Sequence, residues 1–364
     1  MHRFNHHMLS LARDCRGITQ SELSRRSKLR QGTLSKYENG ILEPSDDVVE
    51  QISKILEFPA AFFFQAGKPY GFPPFHFRKR KKLSTKALNR IVAEMNIRRM
   101  HISILLRSYE DRVGRLRIPE IDPDDYKSTT DVNNRIEEIA EHIREIWAVP
   151  RGPIENMVGL IEDLGAIVIP CDFETDLIDA MSQRVDGLPV LFFVNSTAPA
   201  DRIRHTLAHE LAHMILHTVS LLDDDEMERQ ADQFAGAFLV PAREFRSQLR
   251  RFDLRTLANL KAYWKVSMQS LAMRADKLNL ISGYQKKSFW IEMGQLGYRR
   301  SEPGEPPHES ASTVRRMIDF HRGKLGYSAE EVARLLHLNL NEYQQMYAFA
   351  HADQRRAPNL RVVS

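Results

Sequence analysis

One string, HTLAHELAHMILH at 205–217, restricts what this chain can fold into more than any other. It must form a helix that presents His209-Glu210-x-x-His213 on one side, because residues four apart on an α-helix share a face one turn up. His209 and His213 can then close on one metal ion through neutral imidazole nitrogens. Glu210, one step round the helix, lies beside the ion, where it can take a proton from water at the metal. Histidines recur every four residues at His205, His209, His213 and His217, which opens three pair registers. Only the middle one has a Glu directly after its first histidine; His205 is followed by Thr206 and His213 by Met214. Positions eight apart lie about 12 Å apart along a straight helix, whereas Zn–N bonds are about 2 Å. The third ligand must therefore come from elsewhere. The bland reading is an ordinary helix whose histidines are packed or wet, so the surroundings decide.

Those surroundings favour a metal. After the loop LLDDD (221–225), the segment EMERQADQFAGAFLVP (226–241) reads as a helix stopped by Pro241. Glu228, Ala231, Asp232, Ala235, Phe238 and Leu239 share one face of it. Two carboxylates on a small, apolar face are costly to bury without a counter-charge. One zinc ion per chain resolves that cost: Glu228 becomes the third ligand, and Asp232 accepts the outer N–H of a zinc-bound histidine. The bland reading is an exposed amphipathic helix.

The residues quoted so far, RIRHTLAHELAHMILH followed by an acidic loop and ERQADQFAGAFLVP, resemble the ImmA/IrrE family of metallo-endopeptidases. The resemblance implies that the two motif histidines and a Glu thirteen residues before the closing proline, here Glu228, bind zinc. Gln230 stands where the family often has an acid, and Asp232 where it often has Asn; neither touches the ligands. GLPVLFFVNSTAPADR (187–202), an apolar strand and turn leading into the motif helix, and LANLKAYWKVSMQSLAMRADKLNLIS (257–282) fit the same family. By this reading an extended substrate backbone pairs with the strand 190–194, and Arg274 is a candidate oxyanion donor.

The N-terminus is an independent module. In ITQSELSRRSKLRQGTLSKYENGILEPSDDVVEQISKILEFPAAFF (18–63), Thr19 and Glu22 have capping-box spacing, and Leu23, Leu34, Tyr37, Val48, Ile52 and Ile55 mark inward faces. This resembles the Xre (lambda-repressor-like) helix-turn-helix domain, including the pattern at Thr33, Ser35, Glu38 and Gly40. The resemblance implies that the helix holding residues 30–37 enters the major groove. Gln31, Gly32, Ser35 and Lys36 would meet bases or phosphates there, and Gln20 would reach a phosphate or a base edge. Lys28 stands where a turn glycine is common. Such folds also serve as protein-docking modules, so that alternative stays open.

Charge supports double-stranded DNA as the partner. Residues 1–70 carry ten Lys or Arg against eight acids, and residues 76–117 carry thirteen against three. With excesses of two and ten there, a chain total of +4 leaves about −8 on the remainder. The run Arg78, Lys79, Arg80, Lys81, Lys82 is suited to neutralise phosphate. The bland reading is a solvated helix, since Leu88, Ile91, Met95, Ile102 and Leu105 recur at helical spacing.

The expected fold is α+β and mostly helical. It comprises an all-α helix-turn-helix domain (1–70), a basic helical linker (71–149), a zincin-like domain (150–300) with a small antiparallel sheet and the HExxH helix, and a helical C-terminal region (301–364). RRSEPGEPPHES (299–310) reads as a Pro/Gly-rich hinge. The helices after it suit a second helix-turn-helix, an oligomerisation element or a lid equally well. No run of about 20 apolar residues indicates a membrane span. The first residues lack an apolar signal core, and Cys15 and Cys171 are too few for a disulfide framework. These features place the chain in the cytoplasm. The expected function is a DNA-binding regulator with a zinc endopeptidase that cleaves a repressor-type protein, controlling stress or mobile-element genes; a homodimer is compatible. The competing class is a non-catalytic transcription factor whose zinc site is structural or sensory. Glu210 favours the enzyme, because a structural site has no need of a base.

Overall fold

The computed structural model describes residues 3–70, 83–109, 119, 132–217 and 224–347. They divide into two compact units, one drawn from Met1–Val113 and Ser312–Ser364, the other from Gly114–Ala311. Helices dominate both, and one small sheet makes the class α+β.

In the first unit α1 (His6–Cys15), α2 (Gln20–Ser27), α3 (Gln31–Glu38) and α4 (Asp46–Leu56) precede a 3-10 turn at Ala60–Phe64. The Asn5 side chain accepts from the His7 amide to start α1, and Thr19 accepts from the Glu22 amide to start α2. Leu9, Leu23, Leu34, Ile52 and Phe63 form the core of the bundle. Between α2 and α3 the chain turns at Lys28, whose φ of 55° is left-handed. A lysine there carries about 1–2 kcal/mol of backbone strain that a glycine would avoid. The long helix α5 (Thr85–Leu106) starts at Ser84, which accepts from the Ala87 amide, and buries Ile91, Met95, Ile102 and Leu105. Residues 78–82 lie outside the described residues.

The second unit begins with α6 (Val132–Ile146) and α7 (Met157–Asp163), followed by strands β1 (Ile167–Cys171), β2 (Ala180–Gln183) and β3 (Leu191–Asn195). The sheet order is β1-β3-β2, with β1 parallel and β2 antiparallel to β3. The sheet is thus mixed and not antiparallel throughout, because the 172–190 segment is long enough to carry the chain over for a parallel pairing. The central place of β3 also corrects the expected substrate edge. Both sides of β3 are taken by neighbouring strands, so residues 190–194 cannot pair with a peptide, and β2 is the edge strand beside them. All five residues of β3 are buried, as suits a central strand.

Helix α8 (Ala200–Leu216) carries the histidine motif and α9 (Asp224–Leu239) packs along it. On α8 all but three of the residues are buried, which explains its alanines. Phe234 and Phe238 stack at 5.6 Å on α9, and Trp147 meets Phe238 edge-on. Helices α10 (Ala242–Gln248), α11 (Leu254–Trp264), α12 (Met268–Lys277) and α13 (Gly283–Gln295) complete the unit.

The expected hinge at 299–310 is instead a strap tied to this unit. Glu302 accepts from the Met268 and Gln269 amides that open α12 and binds the Lys261 ammonium at 2.9 Å. Glu305 accepts from the Ala200 amide that opens α8. Glu309 accepts from the Val158 amide in α7 and pairs with Arg204. Proline and glycine forbid regular structure here, but three carboxylates on three helix N-termini supply the attachment. The chain then returns to the first unit as α14 (Thr313–Gly323), α15 (Ala329–Leu335) and α16 (Leu340–Met346). Arg16 pairs with Glu342 at 2.8 Å, Asn339 donates to the Glu57 carbonyl at 2.8 Å, and His101 Nδ1 lies 2.8 Å from the Tyr347 hydroxyl.

Candidate metal centre

Where α8 crosses α9, His209, His213 and Glu228 bring their ligand atoms together. The two Nε2 atoms are 3.1 Å apart, and Glu228 presents one oxygen 3.6 Å from His209 and the other 3.4 Å from His213. Two ligands of a tetrahedral zinc ion at bond lengths of 2.0–2.2 Å stand about 3.3 Å apart. These separations lie close to that value, so the three side chains are grouped as ligands of such an ion would be.

Each imidazole has its outer nitrogen engaged. His209 Nδ1 lies 2.7 Å from Asp232 Oδ1, the partner expected from the sequence. His213 Nδ1 lies 2.9 Å from His217 Nδ1, whose Nε2 is 3.2 Å from Gln230 Oε1, and the Gln230 amide donates to Glu226 at 2.8 Å. One proton assignment satisfies this chain: His213 donates to His217, His217 to Gln230, and Gln230 to Glu226. It needs a neutral His217, and burial followed by the neighbouring His213 charge lowers His217 to about 4. Glu226 is held down to about 2 chiefly by Arg229, which clamps it with two nitrogens. His217 and Gln230 are visible in the sequence, but neither they nor Glu226 receive a role at the site from it. The available signal was the fourth member of the histidine series and an amide two residues after Glu228.

Without a cation, the carboxylates hold a proton on His209. Burial opposes charge on His209, yet its hydrogen bonds to Asp232 and Glu228 prevail and raise it to about 9. Burial also opposes charge on Glu228, and the two histidines outweigh it and push the carboxyl well below its ordinary range. A dication at this point would replace the His209 proton as the counter-charge to Glu228.

Glu210 is fully buried. Its Oε2 accepts from the Ser182 amide at 3.0 Å and from the Ser182 hydroxyl at 2.7 Å. Just before β2 the Asp179 carbonyl accepts from the Asn195 amide of β3, so odd residues address β3 while Ala180 and Ser182 address the outer edge. The edge strand thus fixes the carboxylate that follows the first histidine. Arg274 is no oxyanion donor: its guanidinium is committed to the Val240 carbonyl and to Glu137. Asp232, 65% exposed, opens on a cavity of about 520 Å³ lined by His205, Gln233, Met273 and Trp290 among others.

In the helix-turn-helix, Gln31, Gly32 and Lys36 are exposed on α3 and Ser35 is half-buried. A Cβ on Gly32 would meet nothing within 4 Å, so protein packing gives no reason for glycine there. Close approach by an external partner would. Gln20 donates its amide to Glu38, which also anchors Arg13, so Gln20 is tied to the end of α3.

A unit that sets a His-Glu-x-x-His helix against a Glu-bearing helix over a small sheet has the form of a metallopeptidase. Residues 161–276 match the family model of the IrrE N-terminal-like domain, and residues 9–63 match that of the helix-turn-helix. No curated protein matches the chain. The two matches are the combination of an ImmA/IrrE metallopeptidase-like domain with an Xre-like helix-turn-helix. One marks a DNA-binding regulator, the other a peptidase-like fold whose family implies a metal. No helix of the described residues is long and apolar enough to cross a membrane.

Proposed function

We propose that this chain is a cytoplasmic DNA-binding regulator whose second unit holds one zinc ion on His209, His213 and Glu228 and hydrolyses a peptide bond in a protein substrate. The supporting observation is Glu210, buried directly after the first histidine and oriented by Ser182 on the edge strand. Zinc in such a site supplies Lewis acidity toward a water molecule and a carbonyl oxygen. The protein's own groups do the rest. Glu210 accepts the proton of the attacking water and returns it to the departing amine, with Ser182 holding Oε2. Asp232 and the His217–Gln230–Glu226 chain keep both imidazoles in the tautomer that turns Nε2 inward. An extended substrate segment adds to the outer edge of β2 beside Glu210. The substrate we favour is a repressor of the same helix-turn-helix type, whose loss would release stress or mobile-element genes; this rests on the family combination.

The second reading, a non-catalytic regulator with a structural or sensory zinc site, explains the ligand triangle but gives buried Glu210 no task. The discriminating experiment incubates a candidate repressor with the wild-type chain and with Glu210→Gln, with zinc content measured in both. Cleavage by the wild type alone, at equal zinc content, is expected. Equal cleavage by both would remove Glu210 from the mechanism. Zinc binding with no cleavage of any repressor would favour the sensory reading.

A further inference from the structure

The three C-terminal helices repeat the N-terminal helix-turn-helix at a constant displacement of 309 residues. Gly17, Thr19, Glu22, Arg25 and Leu29 reappear as Gly326, Ser328, Glu331, Arg334 and Leu338. The backbone repeats with them. Gly17 and Gly326 both have positive φ, at 59° and 76°, and the turns at Lys28 and His337 have φ of 55° and 54°. Thr19 accepts from the Glu22 amide at 3.2 Å, and Ser328 accepts from the Glu331 amide at 3.2 Å. Core positions coincide as well: Met8, Leu23 and Leu34 correspond to Met317, Val332 and Tyr343, and all six are fully buried. A cap, a left-handed turn and three core residues in one register specify the same helix–turn–helix geometry twice.

We propose that residues 313–347 form a second helix-turn-helix and that α16 reads duplex DNA. The positions of α16 matching Gly32, Ser35 and Lys36 are Asn341, Gln344 and Gln345, and all three are exposed. Carboxamides are the side chains that bond both major-groove edge atoms of adenine, so the target is a DNA segment with A·T pairs at these contacts. Arg334, exposed at the position of Arg25, is placed for phosphate. The opposite side of α16 is engaged in the protein, through Tyr343 in the core and Glu342 on Arg16. α1 and α14 both pack on α5, so the two motifs share one folded unit and are not joined by a free linker. One chain would then read two unlike half-sites, the arrangement that a symmetric repressor obtains by dimerising.

The test is selection from a randomised duplex pool by the full chain, repeated with variants. The wild type should enrich duplexes with two separated elements. Asn341→Ala/Gln344→Ala/Gln345→Ala should lose the adenine-containing element and bind the wild-type winners roughly tenfold or more weakly. Gln31→Ala should disturb only the other element. Gln344→Arg, which adds rather than removes contacts, should shift one enriched base from adenine to guanine. Winners unchanged by both the triple substitution and Gln344→Arg would overturn the proposal while leaving the first motif's DNA reading intact. An element sensitive only to the C-terminal substitutions would overturn the first motif's reading instead. Absence of any enriched duplex would overturn both.

Discussion

At the scale of single residues, the candidate metal centre is organised by groups outside the proposed ligand set. In the proposed site His209 and His213 would supply nitrogens, with Asp232 on one side and His217 on the other engaging the outer nitrogen of each ring. Removing such a partner leaves the ligand count unchanged while freeing the ring to rotate and shift tautomer. Asp232→Ala and His217→Phe should each lower zinc affinity about 10- to 100-fold, measured by competition with a chromophoric chelator. Glu210→Gln, which leaves the triangle alone, should bind zinc as the wild type does. Unaltered affinity in both partner variants would mean that packing alone orients the rings. Gln230 accounts for the departure from the usual acid at its position: its amide accepts from His217 and donates to Glu226, two tasks that no carboxylate performs together.

At the scale of elements, charged groups of the strap contribute unequally. Arg204 is almost fully buried and Glu309 is its carboxylate partner, so Glu309→Ala strands a cation in the core. Breaking a buried pair costs about 3–5 kcal/mol, which for a unit of this size lowers Tm by roughly 6–20 °C. Glu305 is about half exposed, caps α8 and otherwise meets the exposed ring of His308, so Glu305→Ala should cost about 1 kcal/mol. Calorimetry of the two variants compares them directly, and equal losses would contradict the buried-pair account. In the first unit, burial, then the charges of Arg98 and His337, lower His101 to about 3 from 6.5. The folded form therefore binds fewer protons than the unfolded chain. The stability contribution is intact above pH 6.5 and is lost as pH falls toward 3, by a few kcal/mol in all. Chemical denaturation at pH 7 and pH 4.5 should show a smaller loss for His101→Gln than for the wild type. An identical pH dependence would assign the acid sensitivity to other groups.

For the whole molecule, the decisive property is the separation of charge along the chain. An excess of ten positive charges lies on residues 76–117, while the chain as a whole carries only +4. Counterion release makes duplex affinity fall with salt by about 0.9 logarithmic units per neutralised phosphate. Neutralising the five basic residues 78–82 should reduce that slope by up to about 4.5 and weaken binding to every sequence alike. Binding measured across a salt series tests this; an unchanged slope would remove the segment from the DNA interface. His213→Ala in the same assay should leave DNA affinity unaltered, since the metal centre belongs to the other unit.

Some of this was legible without coordinates because it is written in spacing that a helix alone converts to geometry. The i, i+4 histidines, Glu210 beside the first of them, the acids at Glu228 and Asp232, and the Thr19 cap all follow from 3.6 residues per turn and local hydrogen bonding. Other features depend on which distant segments meet, and no local periodicity encodes that. That β3 is central, leaving β2 as the edge that holds Glu210 through Ser182, is a matter of strand order. That a Pro/Gly-rich stretch is a strap depends on three helix N-termini converging on Glu302, Glu305 and Glu309. That His217 supports His213 depends on α9 bringing Gln230 across to it. The C-terminal repeat lies between these cases. Its residues stand in the sequence at a constant displacement, yet its shared left-handed turn and core register were decided only by folding, because backbone dihedrals and burial are properties of the packed chain.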